Sequence, residues 1–226
     1  MDINADFSQR VVMHGGAMPW VDSPIAGVQR RMLDRIGEEV ARATSLVRYA
    51  PHSQFAPHTH GGGEEFLVLE GVFQDERGDF PAGSYVRNPP GTRHTPRSTP
   101  GCVIFVKLWQ CEPDDRTSLI TNIDKMGRIA DKTRTGVAVT PLFQDAQETV
   151  QVEEWQPGIE IEQTFDRGME LLVLDGELND NGDRLCRLSW LRLPCGGTLS
   201  AQAGNEGAKI WVKSRHLHAI RTPKAP

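Results

Sequence analysis

The chain has 226 residues, of which 38% are hydrophobic and 24% charged, with a formal net charge of -5 and a mean hydropathy of -0.42. That is enough apolar material for one large domain or two ordinary ones, and no run approaches the roughly twenty apolar residues of a membrane-spanning helix. Acids and bases are mixed along the chain without a basic stripe, which argues against a direct nucleic-acid groove and leaves a protein partner open.

In chain order, the N-terminus Met1-Asp2-Ile3-Asn4-Ala5-Asp6 is acidic and carries no apolar core of a signal peptide, so a cytoplasmic protein is expected. Two stretches are the best helical candidates: Gln29 to Val40, charged and interrupted by Gly37, and Asp114 to Lys125, which opens with acids. The remainder reads as strand. Ser45 to Tyr49, Phe66 to Leu69, Ser84 to Arg87 and Cys102 to Trp109 are short apolar runs bounded by turn residues, in a chain with 22 glycines and 15 prolines. An all-β sandwich or barrel is predicted. Cys102, Cys111, Cys186 and Cys195 form no CxxC pair and read as reduced, buried thiols.

One pair of segments carries chemistry. Pro57-His58-Thr59-His60-Gly61-Gly62-Gly63-Glu64 is answered thirty residues later by Pro89-Pro90-Gly91-Thr92-Arg93-His94. His58 and His60 leave the same face of a strand, the glycines allow a sharp turn, and His94 arrives from a distant strand. Three imidazoles and one carboxylate can then surround a single divalent ion, and nitrogen and oxygen donors without thiolate suit zinc, iron, manganese, nickel or copper. Glu64 reads as a ligand rather than a general base, and Glu65 as facing outward. His14, His52, His216 and His218 have no such context and read as surface histidines. Arg93 and Arg97 flank His94; they either steer an anionic ligand or pair with nearby acids.

The chain also repeats. Displaced by 105 residues, Thr44 falls on Thr149, Glu65 on Glu170, Gly71 on Gly176, Ser84 on Ser189, Arg87 on Arg192 and Pro89 on Pro194. Backbone-shaping residues survive in both copies, but His58 becomes Gln163, His60 becomes Phe165, Glu64 becomes Met169 and His94 becomes Leu199. Two copies of one β-unit are therefore expected, a metal-binding barrel over residues 1–125 and a metal-free one over 126–226. An empty cluster of buried polar groups is costly, so apolar replacements suit a copy without metal.

His58-x-His60-xxx-Glu64-x6-Gly71 and Gly83-x5-Pro89-x-Gly91-xx-His94 resemble the two cupin motifs, with Ser98 where an Asn usually closes the second. The resemblance covers both halves and implies two tandem cupin barrels, double-stranded β-helices. The string Gly63 to Phe73, with Asp75-Glu76, Gly78-Asp79, Tyr85 to Gly91, Gly101 to Val103 and Met32 to Arg35, is similar to the ChrR-type cupin. ChrR proteins are zinc-containing anti-sigma factors. The resemblance thus implies zinc first among divalent metals, with iron, manganese or nickel as alternatives. It also implies a sigma factor or another regulatory protein as partner, a small-molecule ligand at the metal, and a homodimer. The helical zinc domain of ChrR carries a His-xxx-Cys-xx-Cys pattern that nothing before Cys102 supplies. The alternative expectation is an iron dioxygenase of the acetylacetone type, acting on a small diketone or phenolic compound. A third is a metal-bearing structural module without turnover.

Overall fold

The computed structural model describes residues 1–38 and 40–223, and these are nearly all β. They form two compact units: Met1–Ala5, Pro19–Asp124 and residues 221–223 make the first, and Asp6–Met18 with Lys125–Ile220 the second. Each unit is a cupin barrel.

In the first unit the main sheet runs, all antiparallel, through Val28–Gly37, Ala41–Tyr49, Cys102–Leu108, Glu64–Asp75, Ser84–Asn88 and Leu119–Asn122. The second unit repeats this with Val137–Gln144, Thr149–Trp155, Gly197–Ser214, Met169–Asp180 and Ser189–Leu193. Glu64–Asp75 and Met169–Asp180 are both 12 residues long and stand 105 positions apart, as the repeat requires. A β-bulge interrupts both, at Leu69 and at Leu174, and each strand turns beyond it at a glycine. Gly71 and Gly176 are retained for one reason. Both have positive φ (71° and 67°), and a Cβ there would sit 2.1 Å and 2.2 Å from the carbonyl oxygens of Gly101 and Gly207.

Three expectations are corrected. The stretch 29–40, read as a helix, lies mostly in the strand Val28–Gly37; its charges resemble a helical period because a bulge between Met32 and Asp34 interrupts the alternation. The stretch from Asp114 holds the strand Leu119–Asn122 and one 3-10 turn, Ile123–Lys125. The division at residue 125 also placed residues 6–18 in the first barrel, and they belong to the second. Val11–His14 pairs with Ser189–Leu193, giving that edge strand a neighbour. Arg10 then donates two hydrogen bonds to Asp180, at 2.7 and 3.2 Å, and the Arg192 guanidinium stacks on Phe7 while donating to the Asp6 carbonyl.

The interiors differ as their sequences do. In the second unit Met169 and Leu199 lie in one apolar core with Ile161, Leu171, Val173, Leu191 and Ile210, with Phe165 packed against it. In the first, Phe66, Val68, Phe73, Ile104 and Val106 form the core beneath a polar cluster.

Candidate metal centre

His58 and His94 face each other across a short antiparallel ladder, His58–Thr59 against Arg93–His94. The pairing continues as the His60 amide donates to the Thr92 carbonyl and the Gly91 amide to the His60 carbonyl. His60 therefore lands beside the other two rings. Ring centroids are 5.0, 4.9 and 4.6 Å apart, with planes near perpendicular. Glu64 enters as the first residue of its strand. One donor atom from each of His58, His60, Glu64 and His94 lies within 4.8 Å of the others. An ion with bonds of about 2.0–2.2 Å would sit among such a set once the donors draw in around it.

The outer hydrogen bonds aim these donors. His58 Nδ1 faces the Ala56 carbonyl, an acceptor only, at 3.3 Å, so that nitrogen carries the proton. His60 Nδ1 lies 3.0 Å from the Thr92 hydroxyl, whose own proton goes to the Pro89 carbonyl. His94 Nδ1 lies 3.2 Å from the buried Asp75 carboxylate. In all three rings the Nε2 lone pair is thereby left for the centre. The Nε2 atoms of His60 and His94 are buried without a hydrogen-bond partner and sit 3.4 and 3.5 Å from Glu64 Oε2. Buried nitrogens are seldom left so, and a divalent ion at this point would satisfy both. Asn88, opposite Glu64 on the neighbouring strand, donates to Glu64 Oε2 at 2.9 Å and sets its rotamer.

Burial pushes His60 below the usual imidazole range, outweighing the pull of Glu64, so the ring is neutral and able to ligate near pH 7. Burial alone would raise the Asp75 carboxyl, but hydrogen bonds from His94 and Arg77 hold it well below the usual carboxylate range. It is an ionised acceptor throughout. The cluster thus fits a divalent ion in number, type and protonation.

The cluster forms one wall of a cavity of about 460 Å³, which meets it on the side of His58, His60 and Glu64. Much of the remaining lining is apolar, including Val28, Val47, Ile104, Val106, Leu108 and Trp109, and Arg30, Arg35 and Tyr49 also face it. The exposed Ile25 and Val40 line it too. Trp109 explains part of the glycine triplet. A Cβ on Gly62 would lie 2.3 Å from its indole, so the loop carrying His60 can pass only as bare backbone.

Thr92, Asp75 and Asn88 stand in the motif strings, but their roles show only once strand register places them behind the ligands. Arg93 is exposed and, like Arg97, absent from the cavity lining, so neither steers a ligand there. Glu65 points away from the cluster but is buried, accepting from the Tyr85 hydroxyl at 2.8 Å, which corrects its outward assignment. His216 is likewise not a surface histidine; its side chain is buried beside Glu170 at 3.1 Å. His14, His52 and His218 are exposed. Cys102 and Cys111 are buried, and burial pushes the Cys102 thiol up to about 11, while Cys186 and Cys195 are exposed rather than buried.

Comparison with known proteins agrees with this picture. Residues 8–112 match the family model of the ChrR cupin-like domain. No curated protein sequence matches the chain. Among solved structures, a protein from Nostoc punctiforme provisionally named a dioxygenase is 16% identical, with a TM-score of 0.75 over 97% of this chain and 88% of its own. A provisionally named glyoxylate-induced protein from Pseudomonas aeruginosa is 17% identical, with a TM-score of 0.74 over 96% and 92%. The Escherichia coli pirin YhhW in complex with nickel(II) is 14% identical, with a TM-score of 0.64 over 91% and 98%. At these identities the likeness is one of fold. No helix among the described residues is long and apolar enough to cross a membrane.

Proposed function

We propose that the first barrel holds one divalent metal ion through His58, His60, Glu64 and His94, and that it is an enzyme of dioxygenase type acting on a small organic molecule. One observation carries the reading. The ligand cluster is walled in on the His94 side but adjoins a cavity large enough for a small substrate on the side of His58, His60 and Glu64. Structural metal sites are closed by protein ligands, whereas catalytic ones keep an approach open. A bound ion supplies Lewis acidity there and, if it is iron, access to one-electron chemistry with dioxygen.

The chain's own residues do the rest. Asp75, Thr92 and the Ala56 carbonyl hold the three rings in the ligating tautomer, and Asn88 holds Glu64. Trp109 and the valine and isoleucine wall exclude water around the bound molecule. Likeness in fold to the Nostoc protein supports the reading. The donor set itself does not choose between iron and zinc.

Metal analysis of purified protein with oxygen uptake on small diketones and phenols tests it. Near one iron per chain and substrate-dependent oxygen consumption are expected. Tightly held zinc with no uptake overturns the enzyme reading. A second reading rests on the match of residues 8–112 to the ChrR cupin-like domain. In it the same centre carries zinc and regulates a sigma factor, which would be recovered from cells on immobilised protein and released by chelation.

Asp75→Asn separates positioning from ligation. Losing the anionic acceptor behind His94 is expected to weaken metal affinity by roughly 10–100-fold, measured by competition with a chelating dye. Unchanged affinity would leave Asp75 only its pairing with Arg77.

A further inference from the structure

The cavity beside the cluster carries positive charge that no carboxylate among the described residues pairs with. Arg30 and Arg35 both line it. They lie on the strand Val28–Gly37, whose side chains should alternate, so residues 30 and 35 belong on opposite faces. The bulge between Met32 and Asp34 inserts one extra residue and brings Arg35 onto the face that carries Val28 and Arg30. Arg35 spends its donors on backbone carbonyls, Gly37 and Glu38. Arg30, half-buried, has no hydrogen-bond or ion-pair partner among the described residues, and none of their carboxylates pairs with either guanidinium.

A third polar group joins them. The Tyr49 ring packs against Phe55 and Phe73, and the residue lines the cavity, buried, with no hydrogen-bond partner among the described residues. Tyr49, Arg30 and Glu64 thus line one and the same cavity. Burial comes first in pushing the Tyr49 phenol well above its usual range; it stays protonated and is a donor. Val28, Val47, Ile104 and Val106 give this wall an aliphatic surface, with Ser45 and Phe55 also in the lining.

A desolvated cation without a counter-ion is costly, and the cheapest remedy is a ligand that brings the charge. We infer that the cavity takes a small organic monocarboxylate with an apolar body, its carboxylate on the Arg30 guanidinium and the Tyr49 hydroxyl and its body along the valine and isoleucine wall. The assignment deepens the reading of the cavity as a substrate site. It names the substrate as an organic acid, where a diketone or phenol would leave Arg30 unanswered.

Titration calorimetry on the full chain tests this, with benzoate as probe and benzamide as its neutral isostere, each with metal bound and after chelation. Benzoate is expected to bind roughly tenfold or more tightly than benzamide, the scale of a hydrogen bond to a charged group. Arg30→Met should remove that preference while leaving metal content and benzamide affinity unchanged, and Arg30→Lys should restore part of it. Arg93→Gln, outside the cavity, should change nothing. The preference should persist in chelated protein, because Arg30 needs no metal to attract an anion. Equal binding of benzoate and benzamide by the unaltered protein overturns the inference, whether or not Arg30→Met folds. So does an unaltered preference in a folded Arg30→Met protein. Metal retained near one per chain in His94→Ala, with the benzoate preference intact, would count against the metal reading alone.

Discussion

His94→Ala is expected to reduce metal from near one ion per chain to a trace, read by elemental analysis of dialysed protein. His94 is the ligand most completely enclosed, with 2% of its side chain exposed, and no other described imidazole or carboxylate stands where it could substitute. Asp75 could approach only by giving up its bonds to Arg77. Removal of a ligand should therefore cost more than the roughly 10–100-fold expected for a supporting residue. The fold should survive, since Asp75 keeps its Arg77 partner and the Phe73 core lies beneath. Metal near one per chain in this variant would show that the four residues are not its ligands.

Arg10→Met is expected to destabilise the second barrel by about 2–3 kcal/mol in urea unfolding followed through Trp190 and Trp211, both buried in that unit. The Asp180 carboxylate is fully enclosed, and Arg10 is the cation it meets. Removing one partner of a buried pair costs about 3–5 kcal/mol because the other charge is stranded. Here the cost is smaller: the Arg10 side chain is 32% exposed, and Asp180 Oδ1 keeps hydrogen bonds from the Ser200 amide and Asn181. Adding Asp180→Asn should recover part of the loss, since a neutral amide tolerates the missing cation. A change below about 0.5 kcal/mol would place Arg10 among ordinary surface residues.

The clustering of His58, His60, Glu64 and His94 and the duplicated β-unit were legible in the sequence because their determinants are local or repeated. The i, i+2 histidines, the glycine turn and the 105-residue offset need no knowledge of distant pairing. What escaped depends on register. Leu33 is an ordinary leucine in sequence, yet as the extra residue of a bulge it decides which face receives Arg35. Asp75 and Asn88 are common polar residues until strand pairing places them behind His94 and Glu64. Glu65 and His216 were assigned to the surface by pattern, while buried hydrogen bonds keep both inside. Nor did any pattern show that residues 6–18 belong to the second unit, where Val11–His14 pairs with a strand in the distant half.

That pairing sets an order of events during synthesis. His14 and Ser189 stand 175 positions apart, so the strand Val11–His14 lacks its partner until that much more of the chain has been made. At about 5–20 residues per second, the wait is roughly 9–35 s. Throughout it the segment between Ala5 and Pro19 waits without its partner strand, because both of its flanks belong to the first unit while Ser189–Leu193 is still to be made.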